Sequence, residues 1–192
     1  MKEIKTDRRV RRTQNALKTN LLMLMKEQPI QKISVSRLCE KSDINRSTFY
    51  TYYSSPMDLL HSIEEDILYT LKEDIEQLHK EISVSQLMDS ITSYISSNRE
   101  LIRLIFSDNG DPDFLNQLTL HLQEQTVTDW HRRYPSCTKE ELTALHIFIS
   151  RGCIGIIEQW IRSDFRQTAD QISRTLEILS QSAASGFLKL NV

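Results

Sequence analysis

The side chains best suited to recognition chemistry in this 192-residue chain stand together between Arg46 and Tyr52: Arg46, Ser47, Thr48, Tyr50, Thr51 and Tyr52. None is acidic, and each can donate a hydrogen bond. With Phe49 and Tyr53 turned inward, the others form one outward helical face of donors. Such a face suits a phosphate-lined groove, where an arginine can hold a guanine edge bidentately and hydroxyls can hold phosphates. The other reactive residues do not organise into a site. There is no G-x-S-x-G elbow, phosphate-cradling glycine loop or H-E-x-x-H motif, so no enzyme activity is expected. The five histidines (His61, His79, His121, His131, His146) share no metal-ligand spacing among themselves, and no metal or other cofactor is expected. Cys39, Cys137 and Cys153 form neither a CxxC pair nor an even framework, which reads as free thiols in a reducing cytoplasm.

Charge distribution points the same way. The net charge is −2, but residues 1–60 carry +6 and residues 61–192 carry −8. A basic segment attracts polyanions such as nucleic acid, and an acidic remainder is repelled by them. No apolar run reaches the roughly 18 residues that a membrane span needs. The opening MKEIKTDRR leads into no apolar stretch of the secretory kind, so a cytoplasmic protein is expected.

The elements that must position these donors are helices. Composition is that of a globular chain, with 39% hydrophobic and 26% charged residues, and only four glycines and four prolines interrupt it. Leu17, Leu21, Leu24 and Met25 give an apolar stripe to a first helix over about 5–27, which Pro29 ends. Ser34 can cap a short second helix, Asp43 tolerates the left-handed backbone of a tight turn, and Asn45 can cap a third helix reaching about Ser54. Ser55-Pro56-Met57-Asp58 has the cap, first-turn proline and acid of a helix start. Ser83-x-x-Gln86, Thr138-x-x-Glu141 and Thr168-x-x-Gln171 are capping-box patterns, and Asp111-Pro112 can open one more helix. The expectation is an all-α chain of about nine helices. A three-helix DNA-binding domain occupies 1–55, and a helical effector-binding and dimerisation domain occupies 56–192.

Two short helices joined by a three-residue turn, with a helix before them, make a helix-turn-helix. At this point the sequence resembles the TetR family of bacterial transcriptional regulators. The resemblance rests on KISVSRLCEKSDINRSTFYTYYSSPMDLL (Lys32–Leu60), preceded by the basic helix DRRVRRTQNALKTNLLMLM. It implies that Arg46 and Ser47 read bases and that Thr48, Tyr50 and Tyr52 contact phosphate, with Ser34 and Ser36 assisting and Phe49 and Tyr53 buried. Two departures stand out. Asp43 replaces a turn glycine, and Pro56 replaces a lysine that contacts phosphate at the head of the fourth helix. Arg8, Arg9, Arg11 and Arg12 can compensate for the lost cation; Arg8 and Arg12 are taken as DNA contacts.

One recognition helix reads few base pairs, whereas two, held about 34–36 Å apart by a two-fold axis, read a palindrome. The last two helices are the candidates for holding that spacing. Leu145, Ile149, Gly152 and Ile156 lie on one, and Ile172, Leu176, Leu179 and Ala183 on the other, as a homodimer interface; packing within the chain is the alternative. Two glycines in mid-helix, Gly152 and Gly155, cost about 1 kcal/mol each and call for a packing reason. Tyr94, Phe106, Phe114, His121 and Trp130 supply the aromatics of a small-molecule effector pocket or of plain core. The function expected is a sequence-specific regulator, a repressor released by an effector; the alternative is an activator or a regulator controlled by a protein partner.

Overall fold

Local chemistry at the helix ends divides the chain. The computed structural model describes residues 2–81, 84–111 and 113–190, without the side chains of 2–7, 70–81, 190 and of Leu115, Leu118, His121, Leu122 and Gln125. The expected cap at Ser83, the proline at 112, the pocket residue His121 and the apolar positions Leu71, Leu78, Leu118 and Leu122 therefore lie outside the described residues. Among those described there is no strand. The helices are α1 (Lys2–Met25), α2 (Val35–Ser42), α3 (Arg46–Tyr50), α4 (Pro56–Glu81), α5 (Val84–Ser97), α6 (Arg99–Ile105), α7 (Phe114–Arg133), α8 (Lys139–Arg162) and α9 (Ala169–Leu190), with a 3-10 turn at Ile30–Lys32. None is long and apolar enough to cross a membrane.

The chain forms two compact units, which do not divide at residue 55. The first comprises residues 1–69 with 103–112; the second comprises 70–102 with 113–192.

In the first unit, α1 buries Leu17, Leu21, Leu24 and Met25, the stripe that sequence periodicity marks, and packs on α2. Leu38, Phe49, Leu59 and Leu60 complete this core without measurable exposure. Each such side chain contributes about 1.5–3 kcal/mol by leaving water. The start of α4 is a reciprocal cap: the Asp58 amide donates to Ser55 Oγ at 3.0 Å, and the Ser54 amide donates to Asp58 Oδ2 at 2.7 Å. That bond, with a second from the Ser54 hydroxyl, holds the Asp58 carboxyl below its ordinary range. The turn after α6 is clamped to the end of α1. The Ile30 amide donates to Asn109 O at 3.0 Å, and Asn109 Nδ2 donates to Met25 O at 2.8 Å. Gly110 is obligatory there, since a Cβ would collide with the Ile105 carbonyl oxygen. Asp111, expected to cap α7, turns instead toward His61, its Oδ2 lying 3.3 Å from His61 Nε2. Asp113 holds the cap position of α7, with no side-chain cap bond. Beside Asp111 lies Glu64, which burial and the neighbouring Asp111 charge push up to about 8.

In the second unit, α9 packs on α5 and α8, and α7 packs on α8. Thr138 with Glu141 forms a full capping box on α8, and Thr168 exchanges the same two bonds with Gln171 on α9. The Ser173 hydroxyl donates to the Asp89 carboxylate, tying α9 to α5. The connection between α8 and α9 puts two successive non-glycine residues in left-handed backbone, Asp164 at φ 60° and Phe165 at φ 55°. Trp160 secures it, meeting the Phe165 ring edge-on at 5.1 Å and donating through Nε1 to Gln167 O at 2.9 Å. Such backbone persists only where its surroundings over-determine it. His146 is buried, and that burial holds its imidazole below the usual histidine range.

Candidate nucleic-acid interface

The candidate surface is assembled by one turn. Ser34 caps α2 as the sequence indicates, its Oγ accepting from the Arg37 amide at 3.2 Å. Asp43 closes α2 in left-handed backbone (φ 53°, ψ 46°), and the Ile44 amide returns to Cys39 O at 3.0 Å. An aspartate tolerates this conformation where most residues do not, so the missing turn glycine costs little. Asn45 stands in extended backbone at the head of α3 but makes no side-chain cap bond. The helix itself is only Arg46–Tyr50, shorter than the span to Ser54 that the sequence suggests, and Tyr52 and Tyr53 follow in turns closing on Phe49 O.

Burial sorts these side chains as expected. Phe49 is fully enclosed, with Tyr53 at 5.9 Å between ring centroids and Tyr50 edge-on at 5.6 Å, and it fixes the pose of α3 on α2. Arg46, Ser47, Tyr50 and Thr51 are exposed, and Thr48 and Tyr52 are half-buried. Tyr50 is 59% exposed, a large ring left in water beside a charged side chain. The Thr51 hydroxyl is already engaged, donating to Ser47 O at 3.0 Å. Ser34 and Ser36 are exposed at the start of α2.

A groove of about 900 Å³ runs between α1 and this surface. Arg8, Arg9, Arg12 and Thr13 line one side, and Asp43, Asn45, Thr48 and Tyr52 the other. The fold thus brings Arg8 and Arg12 to the same place as two of the recognition hydroxyls, with Asp43 as the one acid among those residues. The sequence marks Arg9 only as one of four arginines able to compensate for the lost cation and does not mark Thr13 or Asn45 as contacts, because their proximity depends on how α1 crosses the turn. Arg37 and Lys41 on α2 are occupied with Glu27, at 2.8 and 3.4 Å. Cys39 lies beneath as a core thiol; burial raises its pKa against the opposing pull of Arg46.

The second candidate surface needs a correction. Leu145, Ile172 and Leu176, expected at a subunit interface, are core residues of the second unit, 4%, 2% and 0% exposed. A side chain already covered has no area left to bury against a partner. Ile149, Ile156 and Ala183 are half-buried, while Gly152 and Leu179 are exposed. The apolar area left outside is larger than the list from periodicity: Ile147, Phe148, Ile178 and Leu179 are 44%, 69%, 53% and 52% exposed. A Cβ added at Gly152 or Gly155 would meet nothing within 4 Å, so packing inside the chain does not explain these glycines.

The aromatic set is divided between the two units. Tyr94, Phe114 and Trp130 belong to the second unit and Phe106 to the first. Phe114 is buried, and Trp130 packs on Val127, Cys137 and Leu142.

Residues 83–182 match a family described as the C-terminal region of TetR-type transcriptional regulators. Among solved structures, the chain is similar to a TetR transcriptional regulator from Streptococcus agalactiae. That structure has a TM-score of 0.69 and 21% identity over 93% of this chain and 98% of the other. The fatty acid degradation regulator FadR from Bacillus halodurans gives a TM-score of 0.68 and 11% identity over 91% and 95%. The dihydroxyacetone kinase operon activator DhaS gives 0.54 and 20% over 93% and 95%. No curated protein sequence matches the chain. With a helix-turn-helix at its head and the family's C-terminal region across more than half its length, the chain belongs to the TetR family of transcriptional regulators.

Proposed function

We propose that this chain is a sequence-specific DNA-binding regulator that holds a palindromic operator as a homodimer and represses until an effector releases it. One observation carries the reading: α3 and the turn after it present Arg46, Ser47, Thr48, Tyr50 and Tyr52 without an acid among them, beside a groove lined by Arg8, Arg9 and Arg12. In this reading Arg46 and Ser47 meet base edges. Thr48, Tyr50, Tyr52, Arg8 and Arg12 meet phosphates, and Ser34 and Ser36 assist from α2. The exposed apolar residues of α8 and α9, with the open glycines between them, support pairing of two copies through those helices. The protein acts in the cytoplasm, and no step of this function is catalytic.

Incubating purified protein with sheared host DNA and sequencing the retained fragments tests the reading. A palindrome should emerge, and retention should fall steeply between low and physiological salt as phosphate contacts release counterions. Retention independent of both sequence and salt would overturn it. A second reading, an activator or a regulator controlled by a protein partner, draws on the exposed Phe148 and Leu120 and on the activator DhaS sharing the fold. A stoichiometric protein co-purifying with the chain, with promoter output rising, would favour it.

A further inference from the structure

Three metal-ligating side chains of the first unit converge. His61 and Glu64 stand three residues apart on α4, a spacing that places both on one side of the helix. Asp111 joins them from the turn after α6. One ligand atom from each lies within 4.8 Å of the other two. Around an ion with 2.0–2.2 Å bonds, tetrahedral ligands stand about 3.4 Å apart. The His61 Nε2 to Asp111 Oδ2 separation of 3.3 Å already matches.

An independent observation indicates that the cluster is not complete as it stands. Glu64 is 3% exposed, and its Oε1, buried beside Asp111, has no hydrogen-bond partner. Removing a carboxylate from water without a donor or a cation is strongly unfavourable, so buried acids of this kind are paired, protonated or bound to metal. The third ligand is held in advance. The turn carrying Asp111 is fastened by Asn109 to Met25 and Ile30, and Gly110 fixes its path over Ile105. The His61 side chain is 44% exposed, which gives an ion a path from solvent.

We propose that His61, Glu64 and Asp111 bind one first-row divalent metal ion, fastening the first half of α4 to the turn after α6. An imidazole with two carboxylates favours zinc, manganese or ferrous iron over magnesium and calcium, which prefer oxygen alone. Three protein ligands leave at least one coordination position for water or another ligand. The site stands independently of the DNA-binding reading, because it uses none of the residues assigned to DNA.

Cobalt(II) titration of chelator-stripped, tag-free full-length protein tests the proposal, with zinc then added in competition. Visible absorption should develop to one equivalent per chain, zinc should displace it, and the thermal midpoint should rise with zinc. Glu64→Gln and Asp111→Asn should each weaken cobalt binding at least about tenfold, as even outer-shell changes at metal sites commonly do, while Glu140→Gln leaves it unchanged. If Glu64→Gln fails to fold, the partly exposed His61→Ala and the Asp111→Asn variant carry the same test. Absence of cobalt absorption at millimolar metal, or wild-type affinity in folded His61→Ala and Asp111→Asn proteins, would overturn the assignment.

Discussion

The outer face of α3 and the outer faces of α8 and α9 both lie in water in the single chain, yet they are built from opposite chemistry. On α3 the exposed positions are Arg46, Ser47 and Tyr50. On α8 and α9 they include Ile147, Phe148, Ile178 and Leu179, with glycines between them that no neighbour requires. The first surface offers hydrogen-bond donors and keeps its hydration until a polyanion replaces water. The second pays for exposure and gains by being covered. The contrast teaches that the composition of an exposed face indicates the class of partner, and the partners implied here differ: nucleic acid for one, another apolar protein surface for the other.

The contrast can be broken experimentally, beginning with the largest effect. Phe148→Asp with Leu179→Asp should leave a folded monomer by sedimentation, with operator affinity down on the order of 100-fold or more through lost bivalency. A variant that remains dimeric would remove α8 and α9 from the interface. Arg46→Ala should cost about 1–3 kcal/mol at one base pair and relax preference there; unchanged discrimination across an operator panel would show that another residue reads that base. Asp58→Ala should destabilise the head by about 1 kcal/mol near neutral pH through loss of the α4 cap. The Asp58 carboxyl is depressed in the folded state, so its contribution is present above the unfolded value, about 3.9, and is lost as pH falls through the lower folded one. Urea unfolding of both proteins should therefore converge in acid. Gly152→Ala sharpens the comparison with the smallest change. In an unpaired helix the alanine gains about 0.8–1 kcal/mol, whereas against a close partner it obstructs. Unfolding stability of the separated chain should rise while the dimer dissociates at higher protein concentration.

Legibility in the sequence followed the range of the interactions. Ser34, Ser55, Thr138 and Thr168 were readable as caps because each bonds to an amide three residues on. Asp111 was not, because its carboxylate is used by His61, 50 residues earlier in the chain. The break between α5 and α6 carries neither glycine nor proline; Asn98 marks it by turning its side-chain amide back to Tyr94 O at 2.9 Å. Around α3 the enclosed Phe49 and Tyr53 separate from the exposed Arg46, Ser47 and Tyr50, with Thr48 and Tyr52 half-buried between them. On α8 and α9 both sides are apolar, and periodicity alone does not tell the side packed on neighbouring helices from the side facing water. Leu145, Ile172 and Leu176 were misplaced for that reason. Spacing among the histidines does not mark His61, because its neighbours in the cluster are carboxylates, one of them remote in sequence.

The cysteines give the two units separate clocks. Cys39 belongs to the first unit and Cys137 to the second, and both are almost completely covered, at 4% and 1% exposure. A thiol reagent reaches either sulfur only during an opening of its own surroundings. With Cys153, the half-buried third thiol, replaced by serine, the labelling rate at each site measures how often that unit breathes. A molecule that quietens one rate and not the other would disclose which unit it grips, before any promoter is known.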